Sequence, residues 1–163
     1  MAGKLPSARN KSISISLSSK EKIGIVVSDW NDEITSSLVS AARKVLELSN
    51  LQKNLIIVHV PGAFELPFAA SLLCKKKNIK GVICLGCVIK GQTKHDDYIN
   101  NTIANAFSQL AIDYSKPVIF GVLTTNNIKQ ARERSGGKLG NKGEETAIAL
   151  LKMLQIQELI SNI

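Results

Sequence analysis

Apolar residues along this chain fall into runs and stripes that alternate in kind. Residues 22–28, KIGIVVS, are a continuous apolar run suited to a buried strand. Residues 34–48 then carry Ile34, Leu38, Ala41, Ala42, Val45, Leu46 and Leu48 at helical spacing, with Asn31 or Asp32 available as a cap. A second run, NLIIVHV at 54–60, stops at Pro61 and Gly62. A helix is expected from about Phe64 to Lys76, with Pro67 tolerated in its first turn. GVICLGCVI at 81–89 is a third run. Residues 98–112 put Tyr98, Ile99, Ile103, Phe107 and Leu110 on one helical face, and PVIFGVL at 117–123 is a fourth run. Two further helices are expected near 127–135 and 143–160, separated by GGKLGNKG. Before all of these, residues 11–17, KSISISL, alternate strictly between aliphatic and polar positions. That is the pattern of a half-exposed strand, and with no hairpin partner it is expected to pair with a sheet edge, of this chain or of another.

Continuous apolar strands between amphipathic helices predict an α/β fold. The expected form is a four-stranded parallel sheet with helices on both faces, a flavodoxin-like three-layer sandwich. A barrel of the (β/α)8 kind needs about 250 residues, and this chain has 163. The expected organisation is a loose tail over 1–10 and a single domain over 11–163.

Composition narrows the classes. Lysine and arginine number 21 against 13 acidic residues, a formal charge of +8. Aromatics are only 4% and arginines only four, so the charge reads as solvated lysines rather than a nucleic-acid surface. No apolar run approaches the roughly 20 residues of a membrane-spanning helix. There is no signal-peptide core, and three cysteines make no disulfide framework, so a cytoplasmic location is expected.

In an open parallel sheet, ligands bind beyond the carboxyl ends of the strands. Those ends here are SDWN (28–31), PGAFE (61–65), KGQTKH (90–95) and LTTNN (123–127). Cys84 and Cys87 spell CxxC, but residues three apart in a buried strand point to opposite faces, so both read as inert core thiols. GCVIKGQT has P-loop spacing with Gln92 where the phosphate-binding lysine belongs, which excludes nucleoside triphosphate binding of that kind. What remains is Gly91, Gln92 and Thr93 just before a helix, a cradle for a phosphate. His95 stands beside it at the loop–helix junction, where a histidine is suited to proton transfer. Trp30, the only tryptophan, sits among polar neighbours at a strand end, as a partly open stacking platform would. His59, inside an apolar strand, reads as a packed, hydrogen-bonded residue.

Taken together and in order, the strings SDWN, VPGAFELP, GCVIKGQTKHDDYI, PVIFGVLTT and QARERSGGKLGNKGEE resemble the lumazine synthase family over about residues 22–155. The resemblance implies a transferase of riboflavin biosynthesis. It would condense 5-amino-6-(D-ribitylamino)uracil with 3,4-dihydroxy-2-butanone 4-phosphate to 6,7-dimethyl-8-ribityllumazine, phosphate and water, with no cofactor or metal. It implies that Trp30 stacks on the uracil ring and that Ala63, Phe64 and Glu65 bind the pyrimidine and ribityl chain. Cys87, Val88 and Ile89 would offer backbone contacts, Gln92 and Thr93 the butanone-phosphate site, and His95 proton transfer. Phe120 and the phosphate-binding Arg134 would approach from an adjacent subunit, and Lys142 would be a further substrate-proximal lysine. The partners implied are small-molecule substrates and further copies of the chain: the N-terminal strand adds to a neighbour's sheet, and a pentamer assembles further into an icosahedral shell, which the short SGGKLGNKG connection favours. Many members of the family carry Phe where this chain has Asp96. Three other readings share the fold: a flavin- or lumazine-binding protein, a pentameric riboflavin synthase, and a non-catalytic shell.

Overall fold

The structure is a computed structural model that describes residues 15–163. Its frame is a parallel sheet of β1 (Lys22–Ser28), β2 (Leu55–Val60), β3 (Ile79–Ile89) and β4 (Val118–Thr125), in the order β2-β1-β3-β4. Helices α1 (Asp32–Leu48), α2 (Leu66–Cys74), α3 (His95–Tyr114), α4 (Ile128–Arg134) and α5 (Lys142–Ser161) follow the strands. This is the flavodoxin-like α/β sandwich expected from the alternation of runs and stripes. Among the described residues, no helix is long and apolar enough to cross a membrane.

The two central strands explain why the runs are continuous. β1 and β3 are covered on both faces, so every second residue meets a different layer. Ile23, Ile25 and Val27 of β1 face α1, α4 and α5 through Ile34, Leu38, Ala131 and Leu150. Val26 of β1 and Val82 and Cys84 of β3 face α2 and α3 through Leu66, Ala70, Ile103 and Phe107. Fully burying a side chain such as Leu38 or Ile83 contributes about 1.5–3 kcal/mol. Cys84 and Cys87 lie on opposite faces of β3 and all three cysteines are free thiols. Burial pushes the Cys84 thiol up and the Cys87 thiol to about 11, so neither is a thiolate at neutral pH.

Several local details differ from the sequence reading. Asn31 precedes α1 in a left-handed conformation (φ 61°), but its side chain makes no cap and donates instead to the Cys87 carbonyl at 2.9 Å. α3 begins at His95, the loop–helix junction expected from sequence, but of its expected apolar face only Ile103 and Phe107 are buried, and Tyr98 is exposed. A two-stranded antiparallel hairpin, β5 (Ser135–Gly137) with β6 (Gly140–Asn141), joins α4 to α5 where a glycine-rich loop was expected. His59 is exposed on edge strand β2, not packed. Of the alternating segment 11–17, residues 11–14 lie outside the described residues. Residues 15–17 form no strand, and Ile15 and Leu17 pack instead on the core shared by α1 and α5.

Candidate active site

The carboxyl ends of three strands and the start of one helix enclose a cleft of about 480 Å³. β1 delivers Trp30 and Asn31, β2 the turn Gly62–Glu65, β3 Cys87–Ile89, and the approach to α3 delivers Gly91, Thr93, His95 and Asp96. A crossover parallel sheet leaves such a crevice where neighbouring connections leave to opposite faces, here α1 from β1 and α3 from β3.

Each wall has a local cause. Pro61 and Gly62 end β2, and a single 3-10 turn, Ala63–Glu65, leads into α2, which has Pro67 in its first turn. That turn buries Ala63 and leaves Phe64 55% exposed over the opening. Gly62 leaves room for its neighbours: a Cβ there would lie 2.9 Å from Glu65 Oε2, the far end of a flexible side chain, and 3.7 Å from Trp30 Cδ1. Trp30 itself is 73% exposed. Asn31 links the β1 tip to the backbone of β3. Thr93 and His95 sit at the amino end of the twenty-residue α3, where unpaired N–H groups and the helix dipole favour an anion.

Of the residues singled out from sequence, Trp30, Ala63, Phe64, Glu65, Cys87, Val88, Ile89, Thr93 and His95 line this one cleft. Gln92 is exposed beside it and is not among the lining residues. Phe120, Arg134 and Lys142 are elsewhere in the chain. Phe120 lies on β4 and meets Phe107 edge-on, with ring centroids 5.8 Å apart. Arg134 ends α4, donates to the Leu139 carbonyl and pairs with Glu145 at 2.8 Å. Lys142 reaches the same carboxylate at 3.2 Å.

The cleft therefore contains two carboxylates, Glu65 and Asp96, and among its lining residues there is no lysine or arginine. A cation-rich cluster, Arg134–Glu145–Lys142, is exposed by about 28% elsewhere on the same chain. Sequence reasoning missed Glu145, although its i,i+3 spacing from Lys142 on α5 was a readable signal. It also missed Asn31 and Ile99 as lining residues. The sequence offers Asn31 or Asp32 as a helix cap, and nothing in it reveals that the Asn31 amide turns toward β3. Among the described residues, no group of three or more His, Cys, Asp and Glu side chains is placed to hold a metal ion.

A family model described as 6,7-dimethyl-8-ribityllumazine synthase matches residues 20–158. Curated proteins of that name are similar over most of the chain. The one from Cytophaga hutchinsonii is 50% identical over 137 residues, covering 83% of this chain and 86% of the relative. That from Leuconostoc mesenteroides is 43% identical over 144 residues, covering 88% and 92%. That from Bacteroides fragilis is 45% identical over 134 residues, covering 82% and 94%.

Proposed function

From the premise that the chain belongs to the 6,7-dimethyl-8-ribityllumazine synthase family, we propose that the cleft at Trp30 is where it carries out that reaction. The protein is a transferase of riboflavin biosynthesis. It condenses 5-amino-6-(D-ribitylamino)uracil with 3,4-dihydroxy-2-butanone 4-phosphate, giving 6,7-dimethyl-8-ribityllumazine, phosphate and water. One amine condenses with the ketone and expels water, phosphate is eliminated, and the second amine condenses with the carbonyl so formed, expelling a second water as the ring closes.

In this reading Trp30 stacks on the flat pyrimidine, and Ala63, Phe64 and Glu65 bound the pyrimidine and its ribityl chain. The backbone of Cys87, Val88 and Ile89 supplies hydrogen bonds along β3. Gln92 and Thr93, at the amino end of α3, hold the phosphate. His95 moves protons during addition and elimination. Amines and carbonyls combine without strong catalytic groups, so holding both reactants together supplies much of the acceleration. Phe120, Arg134 and Lys142 complete the cleft from an adjacent copy of the chain. The observation that carries this last step is the charge inventory: two carboxylates and no lysine or arginine line the cleft, yet one substrate is a phosphate ester. A pentamer, assembling into a closed shell, is the oligomer this reading favours, and a cytoplasmic location fits its three free cysteines.

The deciding experiment mixes protein with both substrates and follows fluorescent lumazine and released phosphate. The reading expects both products together and neither from one substrate alone. Consumption of added lumazine to give riboflavin would instead identify a riboflavin synthase. Tight binding of lumazine or flavin without turnover would identify a carrier of the same fold.

A further inference from the structure

We propose that Asp29 and His59 form a positioning pair for Trp30, clipping the tips of β1 and β2 together so that the indole is held at the mouth of the cleft. The inference rests on the reading of Trp30 as the pyrimidine platform.

An aromatic ring 73% exposed is not held by packing. Its backbone must be held instead, because a stacking surface that swings freely loses binding to the entropy of fixing it. The segment 29–31 is tied on both sides. Toward β2, the Asp29 N–H donates to the Val60 carbonyl at 2.8 Å and the Trp30 N–H to the Pro61 carbonyl at 3.2 Å. Toward β3, the Asn31 amide donates to the Cys87 carbonyl. Trp30 is the residue between these ties.

The Asp29–His59 contact adds a side-chain tie next to the ring. Asp29 Oδ1 lies 2.8 Å from His59 Nδ1. The carboxylate can only accept, so the proton of this bond is on Nδ1. In the parallel register Val27 is opposite His59 and Ser28 opposite Val60, so Asp29 reaches back diagonally across the strand ends. Arg43, Lys44 and Glu47 of α1 line the same groove as His59. Arg43 is engaged with Glu47 at 3.5 Å. Both members of the pair are about 60% exposed. A contact so open adds little to global stability, and its consequence is local restraint.

The test uses the full-length protein and four variants: Asp29→Ala, His59→Ala, the double variant, and Asp29→Asn. The KM for the ribitylaminouracil should rise about two- to fivefold in each alanine variant, as an exposed hydrogen-bonded ion pair permits. The KM for the butanone phosphate should not move. The double variant should be no worse than the poorer single one. Asp29→Asn, whose amide oxygen still accepts from Nδ1–H, should recover most of the loss. Time-resolved emission anisotropy of Trp30, the sole tryptophan, should show faster local motion in the substrate-free alanine variants and not in Asp29→Asn. Unchanged pyrimidine KM together with unchanged anisotropy would overturn the proposal, as would strictly additive effects in the double variant. If the underlying reading of Trp30 fails, the signature differs: Trp30→Ala itself leaves the pyrimidine KM alone, while the anisotropy still loosens in the alanine variants.

Discussion

Arg134 is already engaged before any phosphate arrives: it shares Glu145 with Lys142 and donates to the Leu139 carbonyl. An anion in the proposed site competes with that carboxylate, and Glu145 in turn keeps two cations on one spot. A charge-assisted hydrogen bond is worth about 1.5–3 kcal/mol, so Arg134→Ala should lower kcat/KM for the butanone phosphate roughly 10- to 150-fold. Steady-state kinetics with that substrate varied check this, and an unchanged kcat/KM would remove Arg134 from the site. At this scale the sequence was informative where a residue type is unusual for its position. An exposed tryptophan among polar neighbours, and a histidine beside a glycine–threonine loop, both mark the cleft. It was silent where a role depends on the direction of a side chain. Asn31 looks like a helix cap and is a strand-to-strand tie. Asp96 gave no sign from sequence of facing the cleft, which it does.

Elements were legible in proportion to how deeply they are buried. β1 and β3 are apolar on both faces and stand out as runs, and α1 shows its apolar stripe plainly because one face is buried and the other wet. The β5–β6 hairpin has no such pattern, since glycines and lysines leave no periodicity to read. The alternation at 11–17 predicts a strand for a sheet edge; residues 15–17 form no strand within the chain itself, and Ile15 and Leu17 pack on its core. The glycine-rich connection GGKLGNKG includes close backbone approaches. At Gly143 the neighbour is the backbone of α1: a Cβ would overlap the Leu38 carbonyl. Gly143 also donates its N–H to the Asn141 cap at 2.8 Å, so it cannot easily retreat. Gly143→Ala should therefore cost about 3 kcal/mol or more, visible as a lowered midpoint in denaturant titration. A second prediction belongs to the starts of β1 and β3. Glu21 pairs with Lys80 at 2.8 Å and accepts from the Ser18 N–H. The Lys80 hydrogen bond, then that of Ser18, holds the carboxyl at about 2 instead of 4.5. A depressed carboxyl contributes stability above its unfolded value and loses it as pH falls through the folded one. Glu21→Gln should cost up to about 1 kcal/mol at pH 7, and the difference from wild type should shrink between pH 4.5 and 2. A pH-independent difference in unfolding free energy would contradict the pairing.

At the scale of the whole molecule, the chain holds apart two groups of side chains proposed to share one site. The aromatic, carboxylate and histidine cleft is at the ends of β1, β2 and β3, whereas the Arg134–Glu145–Lys142 cluster is at the α4–α5 junction. The fold was legible from the order of runs and stripes. Spacing along a chain does not say which groups share a cavity, and the expectation that Phe120 and Arg134 come from a neighbouring copy rests on the family resemblance alone. The proposed completion of each cleft by a neighbouring copy makes the protein active only where two chains meet. The direct measurement is subunit complementation: Trp30→Ala and Arg134→Ala chains, each nearly inactive at low substrate, are unfolded, mixed in equal amounts and reassembled. If the two residues serve one site from different chains, about one quarter of the mixed sites carry both native residues and lumazine synthesis returns to that fraction of wild type. If both residues act within a single chain, or Arg134 plays no part, the mixture gives only the average of the two variants.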